Sequence, residues 1–416
     1  VKRGYLSEYF VGVAAKTLSA VDIDITRSNQ HEIGGTRALR PFMGVPSTSE
    51  CWKTTFIYLD DESEEPLSED AQVTYYDPRA NNPSRSPEPR FYFPTTQVTQ
   101  RASPGDLLVI ARTRDERLLF IFAENGSSAA AQLEWLFGFS EEVHPRFSAR
   151  SELENEQDRI SLSASVILEN IGVEVERSEV SFLDDMLQRF GQKFPSTKDF
   201  SAYARATLPI DARDDADGAL IAWMEREEIL FRTLERHLLA DWLQSFKGDV
   251  DTFMSVSLSV QNRRKSRVGH AFENHLETVF DAFSVRYSRT AVTENKAKPD
   301  FLFPGQTVYH LDEFPAGLLT MLGVKTTCKD RWRQVLSEAD RVEFKHLLTL
   351  ETAISASQTD EMRSKKLQLV VPRALHESYS AAQKVWLASV NDFIELVIDR
   401  QVRGAIAIDQ LPLGPA

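Results

Sequence analysis

Cysteine is almost missing from this chain. Two residues, Cys51 and Cys328, stand far apart in 416. They allow no disulfide framework and no Cys/His zinc spacing, and a reducing cytoplasm suits such a composition. No apolar run reaches the ~18 residues of a membrane span. The opening stretch, 1–18, is interrupted by Tyr5, Glu8 and Tyr9, so it reads as an amphipathic helix and not as a signal peptide. Positive charge is also in deficit, with 48 Lys and Arg against 62 Asp and Glu, a net charge of −14. That balance argues against a protein that coats nucleic acid non-specifically. It leaves room for an enzyme that gathers its cations in one cleft and needs carboxylates to hold a metal. Internal repeats and low-complexity tails are absent. The hydrophobic share of 42% and charged share of 26% are those of an ordinary globular protein. The length exceeds what one core usually supports, which predicts two domains.

Two textures divide the chain. Up to about residue 170, short β-prone runs dominate: 54–59, 73–76, 90–93, 107–112 and 117–123. Turn-rich stretches such as DPRANNPSRSPEP separate them, which predicts a mainly β domain over 1–170 with a few flanking helices, one at 126–136. A hinge is expected at 171–185, a second domain at 186–403 and a tail at 404–416. In the second domain, apolar residues recur at helical spacing over 216–243 and 268–283. Short apolar strands at 301–303, 319–326, 346–351 and 367–372 then alternate with helices expected at 330–342 and 381–400, an α/β pattern with a central sheet.

Pro299 and Asp300 open one of these strands, and Lys325 follows 25 residues later on the next. Phosphodiester cleavage needs carboxylates for a metal and often a lysine near the attacking water. The arrangement outlines a PD-(D/E)xK nuclease. On these two residues alone, a surface aspartate and an unrelated lysine read equally well. The carboxylate expected two residues before the lysine is replaced by Gly323, so it must come from elsewhere. Glu338, 13 residues after Lys325, is the first candidate if it lies on the following helix with Arg331 and Val335. Glu273, beside the core-facing Phe272, is the second. The bland alternative for each is a solvated helix glutamate.

Residues 325–333, KTTCKDRWR, run from the catalytic strand into that helix. Lys329 and Arg331 suit guanine O6 and N7, and Asp330 suits cytosine N4, so the triplet fits adjacent G·C pairs. Asp330 could instead be a helix N-cap. Upstream, Arg263, Arg264, Lys265 and Arg267 form a basic run expected to contact phosphates.

These segments resemble the EcoRII restriction endonucleases. The likeness is carried by 257–280 (with RRKSRVGHAFENHLETVF), KPDFLFP at 298–304 and LGVKTTCKDRWRQVLSEAD at 322–340, and it extends through the C-terminal half to about residue 403. The resemblance implies a PD-(D/E)xK fold, with a mixed central sheet flanked by helices, in a homodimer that cuts double-stranded DNA with Mg²⁺. It implies an active site of Glu273, Asp300, Lys325 and Glu338, with Asp300 and Glu338 on the metal. Tyr309 matches a tyrosine near the family's site, and Lys329, Asp330 and Arg331 match its CC:GG-reading element. Enzymes of this kind cut CCWGG before the first C.

The first domain is similar to the EcoRII effector-binding domain, a pseudobarrel like the plant B-three factors. The matching stretches are 9–20, 28–35 and YYDPR at 75–79 with Arg85; Glu88 and Arg90 match after a one-residue shift. By that likeness Asn29, His31, Arg79, Arg85 and Arg90 would hold effector DNA, and the domain would regulate the nuclease. One departure concerns the family's central-base pocket. Its arginine and aromatic fall on Met224 and Glu228 here, with Trp223 and Arg226 nearby as substitutes. Two rival readings stay open: a non-catalytic DNA-binding regulator and a structure-specific repair nuclease.

Overall fold

The computed structural model describes residues 4–23, 32–34, 36–80, 82, 84–139, 146–176, 179–243 and 250–409, the side chains of 241–243, 330 and 407–409 aside. Contacts divide the chain into two compact units, Val1–Val175 with Ala353–Gln358, and Glu176–Thr352 with Thr359–Ala416.

The first unit is built on an eight-stranded sheet. Its strands are β1 (Phe10–Thr17), β2 (Glu32–Ile33), β3 (Glu50–Leu59), β4 (Leu67–Tyr76), β5 (Arg90–Tyr92), β6 (Leu107–Thr113), β7 (Leu118–Ala123) and β8 (Ser148–Arg150). Their order is β2-β5-β4-β3-β7-β6-β1-β8. Only β3 and β7 pair in parallel; the other pairs are antiparallel. β7 reads LLFIFA without polar alternation because both its faces are covered. Ile121 packs into a core with Phe10, Leu133 and Phe137, while Phe120 and Phe122 face a second core with Phe56, Tyr75 and Phe91. The helices Ser128–Phe137 and Leu162–Asn170 contribute to the first of these cores.

The amphipathic helix expected at the start of the chain is instead strand β1. Its residues FVGVAAKT are nearly all buried between β6 and β8. A strand covered on both faces loses its two-residue period, and its small residues then mimic a helical pattern. Gly12 is needed there, because a Cβ would lie 2.6 Å from Phe42 Cβ.

The second unit carries a mixed five-stranded sheet, ordered β13-β12-β11-β10-β9. The strands are β9 (Ser288–Arg289), β10 (Phe301–Phe303), β11 (Thr320–Lys325), β12 (Lys345–Thr349) and β13 (Leu367–Val370). β9, β10 and β11 run antiparallel to their neighbours in turn; β11, β12 and β13 are parallel. Phe280, on the helix Val250–Ala282, meets Phe301 and Phe303 edge-on at 5.2 and 5.3 Å, a favoured aromatic geometry that fixes this helix on β10.

Three expected boundaries move. The helix expected at 330–342 is a 3₁₀ turn, Lys329–Arg331, followed by one α-turn, Trp332–Val335. The helix expected at 381–400 is two, Ala381–Lys384 and Val390–Asp409, and the second continues past residue 403, where the tail was placed. The helix expected from 268 begins at Val250 and takes in the whole basic run.

Candidate active site

The antiparallel register of β10 and β11 sets Phe301 opposite Leu322. Asp300, just before β10, therefore reaches the end of β11. Its Oδ2 accepts the Val324 N–H at 2.7 Å and the Lys325 Nζ at 2.9 Å. Such charge-assisted bonds are short and directional. The Lys325 and Asp300 side chains keep 13% and 18% of their surface exposed, so the pair is reachable from solvent.

Packing explains the missing motif carboxylate. A Cβ on Gly323 would sit 2.7 Å from Val335 Cγ2, and Trp332 and Val335 are wholly buried against the sheet. No side chain fits at 323 while that helical turn lies on β11. The chain supplies a carboxylate three residues beyond Val335 instead. Glu338 lies on the bend after the helix, not on its face as expected. Its Oε2 is buried with no hydrogen-bond partner among the described residues. Burial, and then the Asp300 carboxylate, push its carboxyl up to about 7 against the opposing charges of Lys325 and Lys345. A buried acid with an unused oxygen near a second carboxylate suits a divalent cation, whose charge reverses that repulsion. No group of three or more His, Cys, Asp or Glu placed to hold a metal occurs among the described residues. Mg²⁺ keeps several of its waters and needs only one or two carboxylates, so Asp300 and Glu338 fit it.

Glu273 arrives already paired. Arg289, from β9, donates Nε to Glu273 Oε2 at 3.1 Å and also binds Glu277 at 3.0 Å and Asn274 Oδ1 at 3.2 Å. Arg289 faces Phe301 in the sheet, one residue from Asp300, so Glu273 is drawn toward the same end of β10. Sequence reasoning missed Arg289; nothing local in YSRT marks it.

Tyr309 lies beneath the turn that follows Glu338. Its ring is wholly buried, and its hydroxyl donates to Glu294 Oε2 at 2.5 Å while accepting the Arg341 N–H at 3.2 Å. Burial and the Glu294 carboxylate push the phenol up, so it stays protonated. Its hydroxyl thereby holds the turn that follows Glu338. Burial would raise the Glu294 carboxyl, but bonds from Tyr309 and the Asp340 amide outweigh it and hold Glu294 below the usual range.

The basic run also divides. Arg267 is 5% exposed and ion-paired with Glu227 and Glu228; Arg264 donates Nε to the buried Glu235 at 2.8 Å. The partner helix, Ala216–Leu243, presents three glutamates to them. Burial removes Arg267 from the phosphate contacts, while Arg264 keeps 32% of its side chain exposed. Arg263 lies over the Phe194 ring at 4.2 Å, and Lys265 is exposed. Trp223 and Arg226 are likewise engaged. Trp223 donates to Leu208 O at 3.2 Å, and Arg226 donates to Thr207 Oγ1 at 2.9 Å and covers the Phe182 ring at 4.2 Å. Neither is a free base contact.

Lys329, Asp330 and Arg331 form a 3₁₀ turn three residues after the end of β11, with Arg331 exposed and Lys329 at φ +34°. The N-cap position of the next helix falls on Arg331, so Asp330 is not its cap. The Glu351 carboxylate accepts the Cys328 N–H and anchors the start of the turn. In the first unit, Arg79 is paired with Glu88, and Arg90 with Glu32 at 3.0 Å and Glu88 at 3.7 Å, while Arg85 is exposed. Asn29 and His31 lie outside the described residues.

Comparison with known proteins agrees with the residues that carried the resemblance. A family model described as EcoRII C terminal matches residues 231–394, a span containing Glu273, Asp300, Lys325 and Glu338. The type II restriction enzyme EcoRII of Escherichia coli is 32% identical over 390 residues, covering 93% of each chain. Among solved structures, metal-depleted Ecl18kI with uncleaved, modified DNA aligns at 15% identity over 55% of this chain and 86% of its own, TM-score 0.44. PspGI with substrate DNA aligns at 16% identity over 52% of this chain and 95% of its own, TM-score 0.42. The identity with EcoRII along nearly the whole length settles the family: the chain belongs to the EcoRII-type restriction endonucleases, DNA-binding hydrolases that cut at specific sites with a divalent metal.

Proposed function

We propose that this enzyme cleaves duplex DNA at a short palindromic site with CC and GG edges, with Mg²⁺ held by Asp300 and Glu338. The observation that carries the reading is the Asp300–Lys325 hydrogen bond at 2.9 Å beside a buried Glu338 oxygen that has no hydrogen-bond partner among the described residues. When bound, Mg²⁺ polarises the scissile phosphate and acidifies a water. Lys325, oriented by Asp300, places its ammonium where negative charge grows on the phosphate and where it can orient the attacking water. In-line attack leaves 5′-phosphate and 3′-hydroxyl ends. Glu273, steered by Arg289, completes the polar surround. Lys329, Asp330 and Arg331 read the G·C edges from the turn that leaves the same strand. Lys265 remains the phosphate contact of the basic run with an exposed side chain.

A palindromic site matches a homodimer, one catalytic unit per strand. The first unit would bind a second, effector copy of DNA through Arg79, Arg85 and Arg90 with the 28–35 arm, and regulate the nuclease. No described helix is long and apolar enough to cross a membrane, and DNA is the expected partner. The test is plasmid cleavage with Mg²⁺ followed by end sequencing, beside Asp300→Ala. Discrete ends flanked by CC and GG, absent with Asp300→Ala, support the reading. No cleavage, even with short effector duplexes added, overturns it.

A further inference from the structure

The turn that carries Glu338 has little regular structure of its own. The helix before it stops at Val335, Ala339 adopts φ +51°, and β12 starts only at Lys345. Among the described residues Glu338 Oε2 has no hydrogen-bond partner, so no bond to that oxygen holds the side chain in place. Its direction is therefore set by the backbone that follows, and that backbone is gripped residue by residue. The Ala339 N–H donates to Thr293 Oγ1 at 3.4 Å, the Asp340 N–H to Glu294 Oε2 at 3.1 Å, and the Arg341 N–H to Tyr309 Oη at 3.2 Å. From the other side, Lys345 Nζ donates to Ala339 O at 3.0 Å and Val342 O at 2.8 Å.

One carboxylate oxygen sits at the centre of this grip. Glu294 Oε2 takes both the Asp340 amide and the Tyr309 hydroxyl, and Tyr309 Oη then takes the Arg341 amide. The segment that presents Glu294 is itself sharply bent. Asn295 and Lys296 hold φ +56° and +62°, with Thr293 N–H bonded to Ala297 O at 2.9 Å. Left-handed residues other than glycine persist only where their surroundings over-determine them, and they gather where geometry matters to function.

We propose that Glu294 is a positioning residue for the metal site: shared between Tyr309 and the Asp340 amide, its carboxylate fixes the turn that directs Glu338 toward Asp300 and Lys325. The proposal rests on the reading that Glu338 holds the metal. Glu294 acts through Glu338 and touches neither metal nor DNA. Residues that orient a metal ligand typically change affinity 10–100-fold when lost.

The test is Mn²⁺ binding to the full chain, followed through the electron paramagnetic resonance of the free ion, with plasmid cleavage rates at limiting and saturating Mg²⁺ beside it. Glu294→Ala is expected to weaken Mn²⁺ about 10–100-fold and to slow cleavage most where Mg²⁺ is limiting. Glu294→Gln, whose carbonyl can accept both donors, restores most of the affinity. Tyr309→Phe, a milder change should Glu294→Ala not fold, gives a smaller loss in the same direction. A fall in thermal midpoint with wild-type Mn²⁺ affinity would overturn the proposal and leave Glu294 a structural residue. Glu338→Gln separates the two levels. If it leaves Mn²⁺ binding intact, the metal reading fails and the positioning role with it. If it abolishes binding while Glu294→Ala does not, the positioning role alone fails.

Discussion

Replacing Gly323 with alanine tests why this active site lacks the usual motif carboxylate. The new Cβ would meet Val335 Cγ2 at 2.7 Å and Cγ1 at 3.1 Å, both closer than side chains pack. Val335 is wholly buried and its helical turn is held by the buried Trp332, so little can yield. Overpacking of this kind costs about 1–3 kcal/mol. Val335→Ala by itself removes two buried methyl groups, at ~0.8 kcal/mol each plus a cavity term, on the order of 2 kcal/mol. In the double variant the added methyl occupies part of the space that the valine vacates. The combined cost should then fall short of the sum by about 1–2 kcal/mol, within the range seen for residues in contact. Hydrogen exchange of the 320–325 amides, measured with urea unfolding, reads both the local and the global effect. Cleavage gives a second readout, because Glu338 lies three residues beyond Val335. Gly323→Ala should raise the Mg²⁺ demand and the double variant should lower it again. Costs that add within ~0.5 kcal/mol would show that the two residues do not compete for space, and the steric account would be wrong.

Lys325→Ala should retain DNA binding and lose roughly 10²–10³-fold in cleavage, as when one preorganised donor to a developing negative charge is removed; single-turnover rates against affinity in EDTA separate the two, and undiminished cleavage would move the reacting centre elsewhere. Arg267→Ala should destabilise the protein by about 3–5 kcal/mol, because the buried Glu227 loses its arginine and Glu228 keeps only Arg232 of the two that bind it; the salt dependence of DNA binding should not change, whereas Lys265→Ala should reduce that slope by about one phosphate contact. Asp330→Ala should cost about 1–3 kcal/mol of discrimination per affected base pair; an unaltered site preference in end sequencing would remove it from the reading element.

Much of the candidate site was legible because the residue types that could carry its chemistry stand at strand ends. Asp300 and Lys325 stand at the adjoining ends of β10 and β11, and the β10–β11 register brings them together as their spacing suggested. The strands expected at 54–59, 73–76, 107–112 and 301–303 lie inside observed strands, since β-branched and aromatic runs bounded by turn residues leave few other options. The supports were not legible. Arg289 and Glu294 lie in segments with no period, and their partners come from distant positions. The length of the 332–335 helix was misjudged for a related reason. Leu336 and Val342 continue an apolar spacing, yet Ala339 turns left-handed and Lys345 binds its carbonyl, so tertiary bonds end a helix that local pattern would prolong.

The basic run shows how sequence can mislead about charge. Four cations in five residues, in a chain of net charge −14, read as a nucleic-acid contact. A helix, however, gives residues three apart the same face, and Arg264 and Arg267 share one. That face lies on Glu227, Glu228 and Glu235 of the helix Ala216–Leu243, so two of the cations pair across the helices, and Arg267 is withdrawn from solvent. The acidic partners sit 29–40 residues upstream, in a stretch whose apolar spacing had marked it only as a packing helix. Periodicity analysis assigns every charged residue to the solvent face. It therefore cannot distinguish a phosphate clamp from a buried ion network until the facing helix is known. The same packing leaves Lys265, between the two inward arginines, on the exposed side, which is why its removal and that of Arg267 should separate DNA affinity from stability.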